Sequence, residues 1–95
     1  MNLQQNQVTP EEYREFMLKF IDKCRNKIEE LHRNHWDLNL DEAQFARNQK
    51  ILLTIHKSFK KIKSEFNLDL LVYKKVSSGL EELALICKLY GVVLI

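Results

Sequence analysis

The sequence predicts an all-α protein, an antiparallel up-and-down bundle of three long helices, or of four if one helix is broken. Two observations carry this prediction. Apolar residues recur at three- and four-residue steps through three long segments, which is the period of an amphipathic helix. The chain of 95 residues contains only two glycines and one proline, so few positions can interrupt a helix. Because the connecting segments are short, consecutive helices are expected to be antiparallel.

The first helix is predicted to run from Pro10 to about residue 34. Thr9 is placed to cap its start, Pro10 suits the first helical position, and Glu12 completes a capping box. The apolar stripe that follows consists of Tyr13, Met17, Phe20, Cys24, Ile28, Leu31 and His35. Residues 1–8, which precede this helix, are expected to be flexible.

The second helix is predicted to begin near Leu40, with Asn39 as its cap and Glu42 reaching back to the cap N–H. Its apolar stripe is nearly a heptad repeat, which is typical of a helix packed lengthwise against its neighbours. The stripe consists of Phe45, Leu52, Ile55, Phe59, Ile62 and Phe66.

The third helix is predicted to follow Asn67, which serves as the turn and cap residue, and to end at Gly91. Its apolar positions are Val72, Val76, Leu80, Leu83, Cys87 and Tyr90. The sequence then closes with VVLI, so residues 91–95 form an apolar tail. With 45% hydrophobic residues the chain can bury one modest core, and residues 1–95 are expected to form a single domain.

The composition argues against several classes of protein. Fifteen Lys and Arg against 13 Asp and Glu give a net charge of +2, far from the strongly basic character of a dedicated nucleic-acid-binding protein. The start MNLQQNQ lacks the basic and apolar regions of a signal peptide, and no window approaches the roughly 20 apolar residues of a transmembrane helix. These features predict a small soluble domain in the cytoplasm, with membrane contact that is peripheral at most.

No metal site and no cofactor are expected. Cys24 and Cys87 are far apart in the sequence and each lies on an apolar stripe, which predicts buried, reduced thiols. His32 and His35 have helical spacing, but no pattern of further carboxylates, cysteines or histidines completes a set of three or four metal ligands.

The stretch RNKIEELHRNHW, which starts at Arg25, supports an enzyme interpretation and a structural one. Arg25-Asn26 followed by His32 resembles the Arg-x(4–6)-His motif of HEPN ribonucleases, and the resemblance implies that Arg25 and His32 act on the scissile phosphate of RNA. The structural interpretation is that Arg25 pairs with Glu29 and that His32 lies in the last helical turn, where the dipole favours cations. No nucleophile–base pair or glycine-rich phosphate loop is recognisable, so no catalytic residue is predicted.

A basic face is predicted on the second helix, where Lys50, Lys57 and Lys61 align at steps of seven and four residues, with Arg47 and Lys60 beside them. Such a line is a candidate anion-binding site for RNA or anionic lipid. No aromatic residue interleaves with the lysines for base stacking, because the phenylalanines of this helix point to the core. A solvated face is the favoured interpretation, so nucleic acid is a partner that remains open without being preferred.

A third candidate surface is apolar. Three leucines fall on the polar side of the third helix in projection, and the tail adds four apolar residues that are costly to expose to water. The predicted surface for a protein partner or for a homodimer consists of Leu71, Leu85, Leu89, Val92, Val93, Leu94 and Ile95. The alternative is that a fourth helical segment, or the tail folding back, covers these residues. An interaction protein is favoured over an enzyme because this apolar surplus accompanies no convergent polar site.

A family resemblance points in the same direction. The capped amphipathic first helix and the apolar carboxyl end after GLEELALICKLYG resemble the immunity proteins that protect producers of class II bacteriocins. The resemblance covers most of the chain and lies in its size and helical pattern. It implies an antiparallel four-helix bundle whose carboxyl end helps to recognise the bacteriocin–receptor complex at the inner face of the membrane.

Overall fold

The computed structural model describes residues 8–37 and 39–94, and within these ranges the chain forms helices and turns with no strand. The helices are α1 (Pro10–His35), α2 (Glu42–Glu65) and α3 (Leu70–Leu89). The predicted all-α bundle is therefore confirmed, with three unbroken helices. Residues 1–8 are predicted to be flexible. Residues 1–7 lie outside the described residues, and Val8 is exposed.

The direction of the helices follows from a row of ion pairs between α1 and the chain around α3. The row consists of Arg14–Asp69 at 2.6 Å, Asp22–Lys75 at 3.2 Å and Arg25–Glu82 at 2.5 Å. Because the residue numbers rise together in both members, α1 and α3 run parallel, as an up-down-up bundle requires. The part of the chain that the structure describes thus holds three helices, where the resemblance to immunity proteins implies four.

Each helix begins at a side-chain cap. Thr9 Oγ1 accepts a hydrogen bond from the Glu12 N–H at 3.1 Å, so the predicted start of α1 is confirmed. The cap predicted for α2 is wrong by two residues, because Asp41 takes that position and its carboxylate accepts from the Gln44 N–H at 2.7 Å.

Neighbouring aspartates account for both misplaced caps. The carboxylate of Asp37 accepts from the Asn39 N–H at 2.9 Å, which holds Asn39 in a turn before α2. At α3 the cap is Asp69 rather than Asn67, and its carboxylate accepts from the Val72 N–H at 3.3 Å. An aspartate carries a negative charge, so it also stabilises the positive end of the helix dipole.

The end of α3 is the turn that the sequence predicts. Gly91 has a φ of +66°, in the left-handed region that favours glycine. The Gly91 N–H donates to the Lys88 carbonyl at 3.2 Å and the Val92 N–H donates to the Cys87 carbonyl at 2.8 Å, which is the Schellman pattern. This turn reverses the chain and directs the tail back along the bundle.

One hydrophobic core lies between the three helices. Its buried side chains are Ile21, Cys24, Ile28, Leu31, Leu52, Ile55, Phe59, Ile62, Val72, Val76, Leu83, Ile86, Cys87 and Tyr90. Both cysteines are buried and free, as predicted, and burial raises the pKa of each thiol. A thiol with a raised pKa is protonated at neutral pH, so both cysteines act as small apolar residues of the core.

A glycine sets the approach of α3 to α2. Gly79 is buried in the middle of α3, and a Cβ atom at this position would lie 2.7 Å from the Phe59 ring. The side chain of Phe59 is completely buried against this gap. Any larger residue at position 79 therefore has to displace the ring from a packed core.

Tyr90 joins all three helices at the end of the bundle where the tail begins. Its hydroxyl donates to the Leu31 carbonyl of α1 at 2.6 Å and accepts from the Asn48 amide of α2 at 3.3 Å. The Tyr90 carbonyl accepts from the Gln49 amide at 2.7 Å. These contacts satisfy the polar groups of a buried tyrosine and a buried asparagine, which would be costly to leave without partners.

Candidate interaction surfaces

The residues predicted to bind a partner do not form one continuous surface. Leu71 lies near the start of α3, whereas Leu85 and Leu89 lie near its end. At a rise of 1.5 Å per residue, Leu71 is about 21 Å from Leu85 along the helix axis. Exposed Lys74 and Ser78 lie between them, so the three leucines are not contiguous.

Leu71 lies in the first turn of α3, directly after the turn that connects α2 with α3. Leu68 in the connecting turn and Leu70 and Leu71 in α3 are 95%, 66% and 48% exposed. The turn packs beside the start of α1, where Arg14 forms its ion pair with Asp69. It is therefore at the opposite end of the bundle from the carboxyl tail.

Leu85 and Leu89 border an apolar groove of about 500 Å³ between α1 and α3. The groove is lined by Ile28, Glu29, His32, Glu82, Leu85, Ile86, Lys88 and Leu89. Ile28 and Ile86 are buried at its floor, while Leu85 stands 63% exposed at its edge and Leu89 is half-buried. The structure thus brings together two of the predicted partner-binding residues and adds a buried apolar floor to them.

The rim of this groove is charged, and the ion pair that Arg25 forms beside it differs from the predicted one. The Arg25 guanidinium donates to Glu82 across the α1–α3 boundary at 2.5 Å, and the predicted pairing with Glu29 on the same helix is wrong. The hydrogen bond to Glu82 raises the pKa of Arg25 further above its usual value. Glu29 is exposed at the rim, with Lys88 on the other helix.

The residues of the ribonuclease interpretation both lie on this side of α1. His32 is exposed at the groove rim, in the last turn of the helix, as the structural interpretation predicts. Arg25 lies about 10 Å away along the axis and is held by Glu82. A phosphate group would have to compete with this carboxylate for the guanidinium. Within the described ranges, no three His, Cys, Asp or Glu side chains are grouped to hold a metal ion.

The tail folds back onto α2, away from the α1–α3 groove. Val92 and Leu94 are half-buried against the core, whereas Val93 is 78% exposed. Ile95, the last residue of the predicted surface, lies outside the described residues. The alternative of a tail that folds back therefore holds for Val92 and Leu94.

The tail and α2 form a second groove, of about 370 Å³. It is lined by Leu53, His56, Lys57, Lys60, Val93 and Leu94. His56 is half-buried there, and burial together with the nearby Lys60 lowers its pKa, so the imidazole is neutral at pH 7. The charge at the edge of this groove therefore comes from lysines.

The predicted lysines of α2 are all exposed, but they do not form an isolated line. Lys57 belongs both to the line with Lys50 and Lys61 and to the edge of the α2–tail groove, where it is joined by Lys60. Lys61 is weakly paired with Glu65 at 4.0 Å, and its side chain is 80% exposed. The helix contains six basic and two acidic residues, so its net charge of +4 exceeds that of the whole chain.

The sequence pattern places Lys60 beside the basic line of α2, but it does not single out Leu53 as an exposed apolar residue that could act together with it. Their spacing with Lys57 is helical, which places the three residues on one side of α2. That signal was present in the sequence. The position of Val93 beside them depends on where the tail goes after Gly91, which the sequence pattern does not specify.

The described helices include none that is both long enough and apolar enough to cross a membrane. Two grooves mark the described surface, one apolar with a mixed rim and one apolar with a basic rim. Comparisons with protein-family models, with curated proteins and with solved structures find no match to this chain.

Proposed function

We propose that this chain is a protein-interaction module that docks its partner on the groove between α1 and α3. The observation that carries the proposal is the exposure of Leu85 beside a floor made of Ile28 and Ile86. Exposed apolar area costs about 25 cal/mol per Å² relative to burial, so covering this groove is favourable. A concave apolar surface with a charged rim is typical of a site that receives a helix.

The partner with which the groove is complementary in charge is a second copy of the chain. In a two-fold contact, the same surface is used by both copies, and a residue on the axis meets itself. If two α3 helices pack antiparallel about Leu85, Lys88 of one copy lies opposite Glu82 of the other. The same pairing occurs twice by symmetry, and each copy places its Leu85 beside the apolar floor of the other.

This contact differs from the surface that the sequence predicts. Leu85 and Leu89 are part of the contact. Leu71 lies too far from Leu85 along α3 to take part, and the tail lies on α2. Arg25 keeps its pairing with Glu82 at the edge of the contact, where solvent can still reach both side chains. The proposal is therefore a homodimer through the end of α3 and the facing side of α1.

The experiment is sedimentation velocity on wild-type protein, Leu85→Glu and Leu71→Glu, from about 1 μM to about 1 mM. The two variants place the same charge on exposed leucines of the same helix, so Leu71→Glu controls for charge and helix propensity. We expect the wild type and Leu71→Glu to dimerise and Leu85→Glu to stay monomeric with an unchanged helical circular dichroism signal. A monomeric wild type throughout this range, or equal dimerisation of both variants, would overturn the proposal.

A further inference from the structure

The groove between α2 and the tail has a chemistry of its own, separate from the α1–α3 groove. Its walls are apolar, with Leu53 39% exposed and Val93 78% exposed. Its edge carries Lys57 and Lys60, and no acidic residue lines it. A surface that combines exposed apolar side chains with positive charge matches a ligand that is both apolar and negatively charged.

The lysines at this edge are available for an external anion. Lys57 and Lys60 are exposed and take part in no ion pair with any residue of the described ranges. By contrast, Arg14, Arg25 and Lys75 are each paired with a carboxylate across the α1–α3 boundary. The charges of Lys57 and Lys60 are therefore not used to hold the bundle together, unlike that of Lys63, which lies over the Tyr73 ring of α3.

We propose that the α2–tail face, made of Leu53, Lys57, Lys60 and Val93 and extended by Lys50, binds the surface of a bilayer that contains anionic lipids. The lysines would contact the lipid phosphates, while Leu53 and Val93 enter the boundary between headgroups and acyl chains. The net charge is +4 on α2 and −2 on the remainder of the chain. An anionic bilayer therefore orients the molecule with the α2–tail face toward the lipid.

The apolar residues favour a bilayer over a nucleic acid. Protein surfaces that bind single-stranded RNA combine basic residues with aromatic side chains on which bases stack. The phenylalanines of α2, Phe45 and Phe59, pack toward the core rather than beside the lysines, and the His56 ring that lines the groove is half-buried. Aliphatic side chains such as Leu53 and Val93 provide no stacking surface, but they do partition into lipid.

The test is cosedimentation of the full chain with vesicles of phosphatidylcholine alone and with vesicles in which about a third of the lipid is phosphatidylglycerol. We expect binding only to the anionic vesicles, with an affinity that falls as salt is raised. A lysine near an anionic surface contributes roughly a five-fold factor in partitioning, so Lys57→Gln with Lys60→Gln should weaken binding roughly 25-fold.

Two controls separate this face from general electrostatic attraction. Lys19→Gln with Lys23→Gln removes the same charge from exposed positions of α1 and should change the binding by less than about three-fold, because neither lysine lines the α2–tail groove. Val93→Ser keeps the charge and alters an exposed side chain, and it should weaken binding several-fold by removing apolar contact.

Three outcomes would overturn the inference. The first is equal binding to both kinds of vesicle, or none to the anionic ones. The second is an equal loss of binding with the α1 lysine pair. The third is that Val93→Ser has no effect while a single-stranded RNA binds with the same dependence on Lys57 and Lys60, which would assign the face to nucleic acid. Circular dichroism of each variant confirms that the bundle is intact.

Discussion

The two interfaces of α3 are built in different ways. Toward α1, the interface has ion pairs along its border, and it leaves an apolar groove open beside Leu85. Toward α2, no ion pair occurs among the described residues, and the contact depends on the fit of Phe59 against Gly79 and on the hydrogen bonds of Tyr90. Partly exposed ion pairs contribute little, whereas close packing contributes much, so the two interfaces should respond very differently to mutation.

The difference also explains where the surface chemistry lies. On the α1 side, carboxylates pair with Arg14, Arg25 and Lys75, and the groove that remains open is apolar with a mixed rim. On the α2 side, the tail covers part of the apolar surface with Val92 and Leu94, and the lysines beside it keep their charge without a carboxylate partner in the described chain. Each interface therefore leaves a different kind of exposed groove at its edge.

The largest effect is expected from Phe59→Ala at the α2–α3 interface. Phe59 is fully buried, so its removal leaves a cavity and should lower the free energy of unfolding by about 3–5 kcal/mol. Phe16→Ala is the matched control, since Phe16 is 62% exposed and its loss should cost less than about 1 kcal/mol. Urea unfolding of both variants measures the difference, and similar midpoints would contradict the packing account.

The same variant sharpens the role of the glycine. In the wild type, Gly79→Ala should destabilise the fold, because its Cβ would lie 2.7 Å from the Phe59 ring. In the Phe59→Ala background the ring is gone, and Gly79→Ala should stabilise the helix by up to about 1 kcal/mol. A double-mutant cycle that shows no such reversal of sign would mean that the two residues do not limit each other.

A smaller loss is expected from Tyr90→Phe. The change keeps the ring and leaves the Leu31 carbonyl and the Asn48 amide without the hydroxyl between them, which should cost about 1–3 kcal/mol. Tyr73→Phe is the control, because this tyrosine is 36% exposed. If thermal unfolding shifts both variants equally, the buried hydroxyl is not a specific contact between the helices.

The ion pairs of the α1 interface should matter least. Arg25→Ala removes the contact with Glu82, an ion pair in which both side chains are partly exposed. The change should lower the free energy of unfolding by about 0.5–1 kcal/mol at low salt and by less at high salt. Arg33→Ala, at an exposed position of the same helix, is its control.

Arg25→Ala and His32→Ala also test the ribonuclease interpretation. We expect neither to abolish an activity, whereas loss of RNA cleavage in either folded variant would establish an enzyme.

Acid should weaken the ion pair between Arg14 and Asp69, where the start of α1 meets the start of α3. The hydrogen bond from Arg14 is the main cause that holds the pKa of Asp69 below its usual value. The stability from this pair is therefore fully present above the unfolded pKa, near 3.9, and is lost as pH falls through the lower folded pKa. Asp69→Asn keeps a capping side chain and should flatten the pH dependence of the melting temperature below about pH 4. Equal slopes in both proteins would contradict this assignment.

The parts of the fold that sequence predicts are those with local causes. Thr9 and Pro10 mark the start of α1 because a cap and a proline act within a single turn. The cap of α2 is less certain from sequence, since Asn39 and Asp41 are both good caps and the choice depends on the carboxylate of Asp37. Local rules offer several candidates here, and the surrounding turn selects one.

The candidate surfaces are predictable to a similar extent. Exposure of Leu85 follows from its angular position on the helix, and that prediction is confirmed. A helical projection discards distance along the axis, which is why the sequence pattern groups Leu71 with Leu85. The pairing of Arg25 with Glu82 joins residues far apart in sequence, and no helical spacing reveals it. Likewise, the path of the tail places Val93 on α2 through contacts that exist only in the folded chain.

The most direct test of the proposed homodimer is a distance between the same position on two copies of the chain. Ser78 is exposed and lies about 10 Å before Leu85 on α3, so a two-fold contact centred on Leu85 places the two Ser78 positions about 20–30 Å apart. A nitroxide attached to Ser78→Cys allows pulsed electron–electron double resonance to measure this separation. Cys24 and Cys87 are protected from labelling because they are buried. We expect one narrow distance in that range, which disappears in the Leu85→Glu background. A dimer with a different distance that persists in Leu85→Glu, or no defined distance at all, would contradict it.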